Sequence, residues 1–99
     1  MRARYLLCYD VRDERRLRAV HKLADAYGEV LHYSLFVCDL SVAEAITLMA
    51  SMGRVVNQSV DSVVLIKLAS GVQDNLLGRS RWLGPRPVAL EPASRPQVV

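Results

Sequence analysis

The apolar run Tyr5-Leu6-Leu7-Cys8-Tyr9 stops at Asp10, and the chain then turns at once into the charged stretch Arg12-Asp13-Glu14-Arg15-Arg16. A short run of aromatic and aliphatic residues ended by a charge reads as a β-strand. The next segment has the other periodicity. Asp13 is a good N-cap, Leu17, Val20, Ala24 and Tyr27 recur at helical spacing, and Gly28 stands where a left-handed C-terminal cap is expected. A strand that passes into an amphipathic helix through so short a turn must bury the helix against its own sheet. That confines the chain to architectures mixing α and β layers.

The remaining elements extend the pattern. Alternation from Glu29 to Asp39 sorts Leu31, Tyr33, Leu35 and Val37 onto one side, expected to be core. Val30, His32, Ser34, Phe36 and Cys38 fall on the other, where two polar residues among apolar ones suit a half-buried interface or the floor of a site. The segment is long for a strand, so it reads either as one strand or as two broken near Tyr33 and Ser34. Ser41 and Glu44 form a capping box that starts a second helix, with Val42, Ala45, Ile46, Met49 and Met52 as its apolar face and Gly53 as its end. Asp61 to Leu68 is a further strand, too continuously apolar over Val63-Val64-Leu65-Ile66 to leave one face in water. Helices cover one face, and a second copy of the sheet is the expected cover for the other. Glycines and prolines then interrupt the chain until Val88-Ala89-Leu90, which reads as a short edge strand. Residues 92–99 read as a tail that is flexible or docks on another chain. The expectation is therefore a single α+β domain over residues 1–91: a ferredoxin-like βαββαβ sandwich with an extra short C-terminal strand, paired sheet to sheet as a homodimer.

With 99 residues the chain is at the small end for a lone hydrophobic core, which also favours association. No apolar run approaches the roughly 20 residues that span a bilayer, and Met1-Arg2-Ala3-Arg4 leads into a strand rather than a signal sequence, so the expected location is the cytoplasm, away from membranes. Cys8 and Cys38 have neither metal-ligand spacing nor a disulfide-rich context and read as reduced thiols. Phosphate-binding glycine loops, zinc patterns and nucleophile elbows are missing, which argues against nucleotide hydrolysis, zinc chemistry and acyl transfer. The net charge of +3 hides a segregation: residues 1–22 carry seven Arg or Lys against three acids, and arginines outnumber lysines eleven to two overall. Guanidinium forks suit phosphate oxygens, so a nucleic acid is a natural partner; an ordinary solvated surface is the other reading.

Asp10 is the residue with chemical promise. A carboxylate after a strand is commonly a turn former, but Asp13 already serves as the helix cap. The alternative is a ligand for Mg2+ (or Mn2+), hard ions that take oxygen donors and are often held by one or two carboxylates plus substrate phosphate. One chain supplies one such carboxylate, so the second must come from an identical subunit. Beside it, Arg12, Arg15, Arg16, Arg18 and Lys22 form a cationic ridge able to hold phosphates. His32 is a possible general base or phosphate ligand, Ser34 a possible holder of water or substrate, and Arg79 and Arg81 further possible contacts, in company with Arg86. His21, inside the first helix, reads as structural.

The stretch Tyr9-Asp10-Val11-x-Asp13-x-x-Arg16-Leu17-x-x-Val20, followed by Tyr27-Gly28 and Tyr33-Ser34-Leu35-Phe36, resembles the CRISPR-associated endoribonuclease 2 family. The sequence differs from that family's pattern at Val30, His32 and Val37, where Arg, Gln and Glu are frequent. The resemblance implies a ferredoxin-like homodimer with a divalent metal between the two Asp10 carboxylates, and Ser34 and Phe36 lining a catalytic site. It implies cleavage of single-stranded RNA or double-stranded DNA and a part in acquiring new spacers for antiviral defence. It also implies an alternative, a non-catalytic DNA-binding scaffold that bridges dimers of the CRISPR integrase; Arg79, Arg81 and Arg86 with the Val88–Leu90 run make the C-terminal segment the expected docking element.

Overall fold

In the computed structural model, residues 2–68 and 81–85 are described. β1 (Arg2–Asp10) leads to α1 (Glu14–Tyr27), β2 (Gly28–His32), β3 (Leu35–Ser41), α2 (Val42–Val55), β4 (Ser62–Lys67) and β5 (Arg81–Leu83). The strands form one sheet in the order β2-β3-β1-β4-β5, every neighbouring pair antiparallel. Both helices pack on one face of it, giving the expected α+β sandwich.

Strand register decides which residues meet the helices. Cys38, Phe36 and Leu65 pair with Tyr5 and Leu7 across β3, β1 and β4, and all five are buried with Tyr9, Leu40 and Val63. Val20 and Ala24 from α1, and Ala45, Leu48, Met49 and Met52 from α2, close this core from above. The opposite face of the sheet is open. Leu6 lies level with Val37 and Ile66, and Cys8 with Leu35 and Val64, so its middle rows are apolar. Of these six only Val64 is buried in the single chain.

The segment from Glu29 to Asp39 departs from the expected alternation. It is two strands, with an irregularity between Val30 and His32 and a turn at Tyr33 and Ser34. Gly28 lies level with Cys38 and Val30 with Phe36, so these four share the helix side, the reverse of the expected assignment. Phe36 and Cys38 are therefore core, Leu35 and Val37 lie on the open face, and Leu31 and Tyr33 are exposed. Gly28 is not a left-handed cap: its φ of −161° is extended, and it already belongs to β2. Its missing side chain matters for space, since a Cβ there would collide with the Val37 carbonyl oxygen and the Cys38 sulfur.

The two helix starts are as expected. Asp13 accepts from the Arg16 amide at 3.0 Å, and Ser41 and Glu44 exchange both bonds of the capping box. α2, however, runs through Gly53 to Val55, and its buried stripe takes in Leu48 while Val42 and Ile46 stay exposed. Cys8 and Cys38 are free thiols, as expected. The final strand found is Arg81–Leu83, paired with β4; the expected Val88–Leu90 strand and the tail lie outside the described residues. Among the described residues, no helix is long and apolar enough to cross a membrane.

Candidate functional site

β1 delivers Asp10 to the end of the sheet, level with Ser62 of β4. Alternation puts it on the open face with Leu6 and Cys8, at the rim of the apolar rows. Its side chain is 65% exposed, and Arg12 approaches it with Nη2 at 3.4 Å from Oδ2. Such an exposed pair holds a carboxylate loosely, leaving Asp10 free to take another partner.

The turn after Asp10 is held from below by Asp61, a carboxylate that sequence alone marks only as the start of a strand. Asp61 is fully buried. Its Oδ1 accepts from the Arg12 amide at 2.9 Å and from Arg16 Nη2 at 3.2 Å; its Oδ2 accepts from Arg16 Nε at 2.7 Å and from the Asn57 amide at 2.9 Å. Burial would push its pKa up, but the guanidinium and the two amides outweigh that and hold it at about 2. Asp61 thereby ties the start of β4, the β1–α1 turn and the first turn of α1 into one unit. A sequence signal exists: a carboxylate abutting the apolar run of β4 must find buried donors, and Arg16 is the cation whose helical position turns inward.

A second feature opens on the helix side, next to the same strand end. A groove of about 870 Å3 lies between α1 and the β2–β3 turn, walled by Tyr9, Leu17, His21, Tyr33 and Ser34, with Asp10 at its edge. Tyr9 reaches into it from the core, its hydroxyl 3.0 Å from His21 Nδ1. Burial raises the Tyr9 pKa, so the hydroxyl stays neutral. Phe36 lies beneath, stacked on Tyr9 with ring centres 6.1 Å apart and meeting His21 edge-on at 5.4 Å. The Ser34 carbonyl accepts from the Tyr9 amide at 3.3 Å, which fastens the hairpin to β1.

These positions sort the expected site residues. Asp10 and Ser34 both line the groove at the end of β1. Phe36 does not line the surface: it is wholly buried and acts as the floor under Tyr9 and His21. Arg16 leaves the cationic ridge, its guanidinium 28% exposed and committed to Asp61. Arg12, Arg15, Arg18 and Lys22 remain exposed and available to phosphate. The register puts His32 level with Leu35, on the open face that also carries Asp10. Arg81 is exposed on the edge strand, far along the sheet order from α1's hairpin side; Arg79 and Arg86 lie outside the described residues. His21, expected to be structural, lines the groove, and its spacing of four from Leu17 is the signal that points there.

Among the described residues of one chain, no three His, Cys, Asp or Glu side chains gather as a metal site. Asp10 alone supplies a hard oxygen donor at a surface where a symmetric copy can add its equal. The molecule is thus a ferredoxin-like α+β sandwich with its polar centre at the end of the first strand, beside a cationic helix. The sequence profile described as CRISPR associated protein Cas2 matches residues 1–75, and the chain belongs to that family. It is 32% identical over 78 residues to the CRISPR-associated endoribonuclease Cas2 2 of Thermodesulfovibrio yellowstonii, covering 79% of this chain and 86% of that one. It is 33% identical over 64 residues to the CRISPR-associated endoribonuclease Cas2 of Geobacter sulfurreducens, covering 65% and 67% of the two. Among solved structures, Streptococcus pyogenes Cas2 superposes with a TM-score of 0.63 at 29% identity, over 69% of this chain and 88% of that one. A hypothetical protein of Thermus thermophilus shares the fold, with a TM-score of 0.69 at 24% identity over 75% and 90%.

Proposed function

We propose that this chain is a metal-dependent endonuclease of the CRISPR adaptation machinery. It works in the cytoplasm as a homodimer packed sheet to sheet, hydrolysing phosphodiesters of single-stranded RNA or double-stranded DNA. The observation that carries the reading is Asp10: an exposed, loosely paired carboxylate at the rim of an apolar sheet face, in a chain whose relatives are named endoribonucleases. Packing two such faces together brings the two Asp10 ends to one interface and hides Leu6, Leu35, Val37 and Ile66 from water.

The chain's own groups divide the work. The two Asp10 carboxylates would hold Mg2+ or Mn2+, and Arg12, exposed beside Asp10, is placed to meet a phosphate. When bound, the metal supplies Lewis acidity toward a phosphoryl oxygen and makes a bound water more acidic. Arg15, Arg18 and Lys22 position the backbone, and Ser34 sits at the strand end where its hydroxyl can hold water or substrate. Asp61 and Arg16 keep the Arg12 amide, and with it the turn after Asp10, in place. The test is cleavage of RNA and of duplex DNA with magnesium by the wild type and by Asp10→Ala. The expected result is metal-dependent cleavage lost in the variant; activity undiminished by the substitution would remove Asp10 as the ligand.

A second reading is favoured by the exposed cations of α1, which suit duplex backbone whether or not anything is cut. In it the dimer is a scaffold that bridges CRISPR integrase dimers while new spacers are inserted. Asp10→Ala separates the two: a scaffold keeps DNA binding and supports integration with the substitution, whereas a nuclease step does not survive it.

A further inference from the structure

We propose that the groove between α1 and the β2–β3 turn is a binding site for an unpaired nucleobase, stacked on Tyr33, with the adjoining phosphate held by Arg18 and Lys22. The inference deepens the reading of the chain as a nucleic-acid enzyme and rests on it for the class of ligand; it names single strands, rather than duplex, as what enters.

Tyr33 is the first reason. Its φ is +40°, in the left-handed region that a bulky residue enters only when its surroundings compel it, and the residue is 84% exposed. Its ring centre lies 4.3 Å from that of His32 with the planes 67° apart, and the residue lines the groove. An aromatic face held in a strained turn and left uncovered is suited to stacking on another flat ring.

The shape and charge of the groove agree. Its volume of about 870 Å3 falls within the roughly 300–1,000 Å3 of small-molecule sites. Its walls are largely apolar and aromatic, with a few polar atoms that face inward: the Tyr9 hydroxyl, His21 and Ser34. Arg18, Lys22 and Asp25 also line it, at spacings of four and three along α1, so they form one stripe down the helix. Arg18 is held only by an exposed contact with Glu14 at 3.7 Å, and Lys22 has no ion-pair partner among the described residues. Two available cations beside an aromatic wall fit a phosphate next to a base. Asp25, at the far end of the stripe, can accept from an exocyclic amino group.

A base within a duplex has its faces covered by its neighbours and its polar edge paired, so it cannot enter. Stacking also accepts any base, because every base has a π-face. The site therefore selects strandedness first, with Asp25 favouring bases that carry an exocyclic amino group. It meets the sheet end at Asp10 and otherwise lies on the helix side, away from the apolar rows assigned to the dimer.

The experiment uses the full chain without divalent metal and a single-stranded oligoribonucleotide carrying one 2-aminopurine, whose fluorescence falls when it stacks on an aromatic ring. The expected result is quenching on binding by the wild type. Tyr33→Ala should lose the quenching and bind roughly tenfold more weakly, Tyr33→Phe should keep both, and the same sequence as a duplex should give no quenching. Because Tyr33 is exposed, loss of folding does not confuse the result. Unchanged quenching in Tyr33→Ala, or equal quenching by duplex, overturns the inference. Cleavage without quenching overturns it while leaving the nuclease reading intact; quenching by a wild type that never cleaves does the reverse.

Discussion

At the level of single residues, the most consequential contact is the one that buries Asp61 under Arg16. Removing one partner of a buried pair leaves the other charge uncompensated, which costs about 3–5 kcal/mol. Arg16→Ala should therefore lower the stability of the fold by that order, read from urea unfolding, whereas Arg15→Ala on the exposed side should change it by less than about 0.5 kcal/mol. The pair also sets an acid limit. Asp61 ionises at about 2 in the folded chain against an ordinary 3.8, so its contribution is complete above pH 4 and is lost as the pH falls toward 2. At about 1.4 kcal/mol per pKa unit this amounts to roughly 2 kcal/mol. Urea midpoints at pH 5 and pH 2 should show that extra loss in the wild type and its absence in Asp61→Asn. Tyr33 is the contrasting case, where two effects nearly cancel. A left-handed backbone costs a non-glycine residue about 1 kcal/mol, and glycine brings about as much extra chain entropy to lose. Tyr33→Gly should thus unfold within about 0.5 kcal/mol of the wild type, as expected of a side chain kept for a ligand and not for the fold.

Among the elements, the helix starts were legible because caps are local: Asp13 and Ser41-Glu44 satisfy amides three residues away, and nothing distant interferes. Ser41→Ala should accordingly cost about 1 kcal/mol in urea unfolding. The face of β3 was not legible, since both of its rows are largely apolar and its pairing with β1, distant in sequence, decides which row meets the helices. Phe36 was for that reason expected to line the site and was found in the core beneath it. Gly28 shows the same limit, because its neighbours Val37 and Cys38 belong to another strand. Gly28→Ala has no flexible side-chain end to push aside at the Val37 carbonyl, so it should destabilise by about 1–3 kcal/mol, the cost of forcing extra volume into packed structure. Asp10 and the basic helix beside it were legible as neighbours because they are close in sequence. Asp61 was not, because its partners Arg12 and Arg16 are more than forty positions away.

For the whole molecule, the order of elements and the apolar run of β4 were sufficient to foresee a helix-covered sheet with an uncovered second face. In the proposed function the site at that face is one half of a shared one. If two copies meet there, Val37→Lys places an ammonium group in the middle of the apolar rows, where burying it unpaired costs several kcal/mol. The dimer should then weaken at least a hundredfold, seen by sedimentation, while the single chain keeps its circular dichroism because Val37 is only half-buried in it. The same substitution should abolish metal binding without touching Asp10. Whether one metal ion is shared by the Asp10 carboxylates of two chains is decided by titrating Mn2+ into the protein and counting bound ions by electron paramagnetic resonance. A shared site gives one ion for every two chains, absent in Asp10→Ala and in Val37→Lys; one ion per chain, or binding that persists in Asp10→Ala, would contradict it.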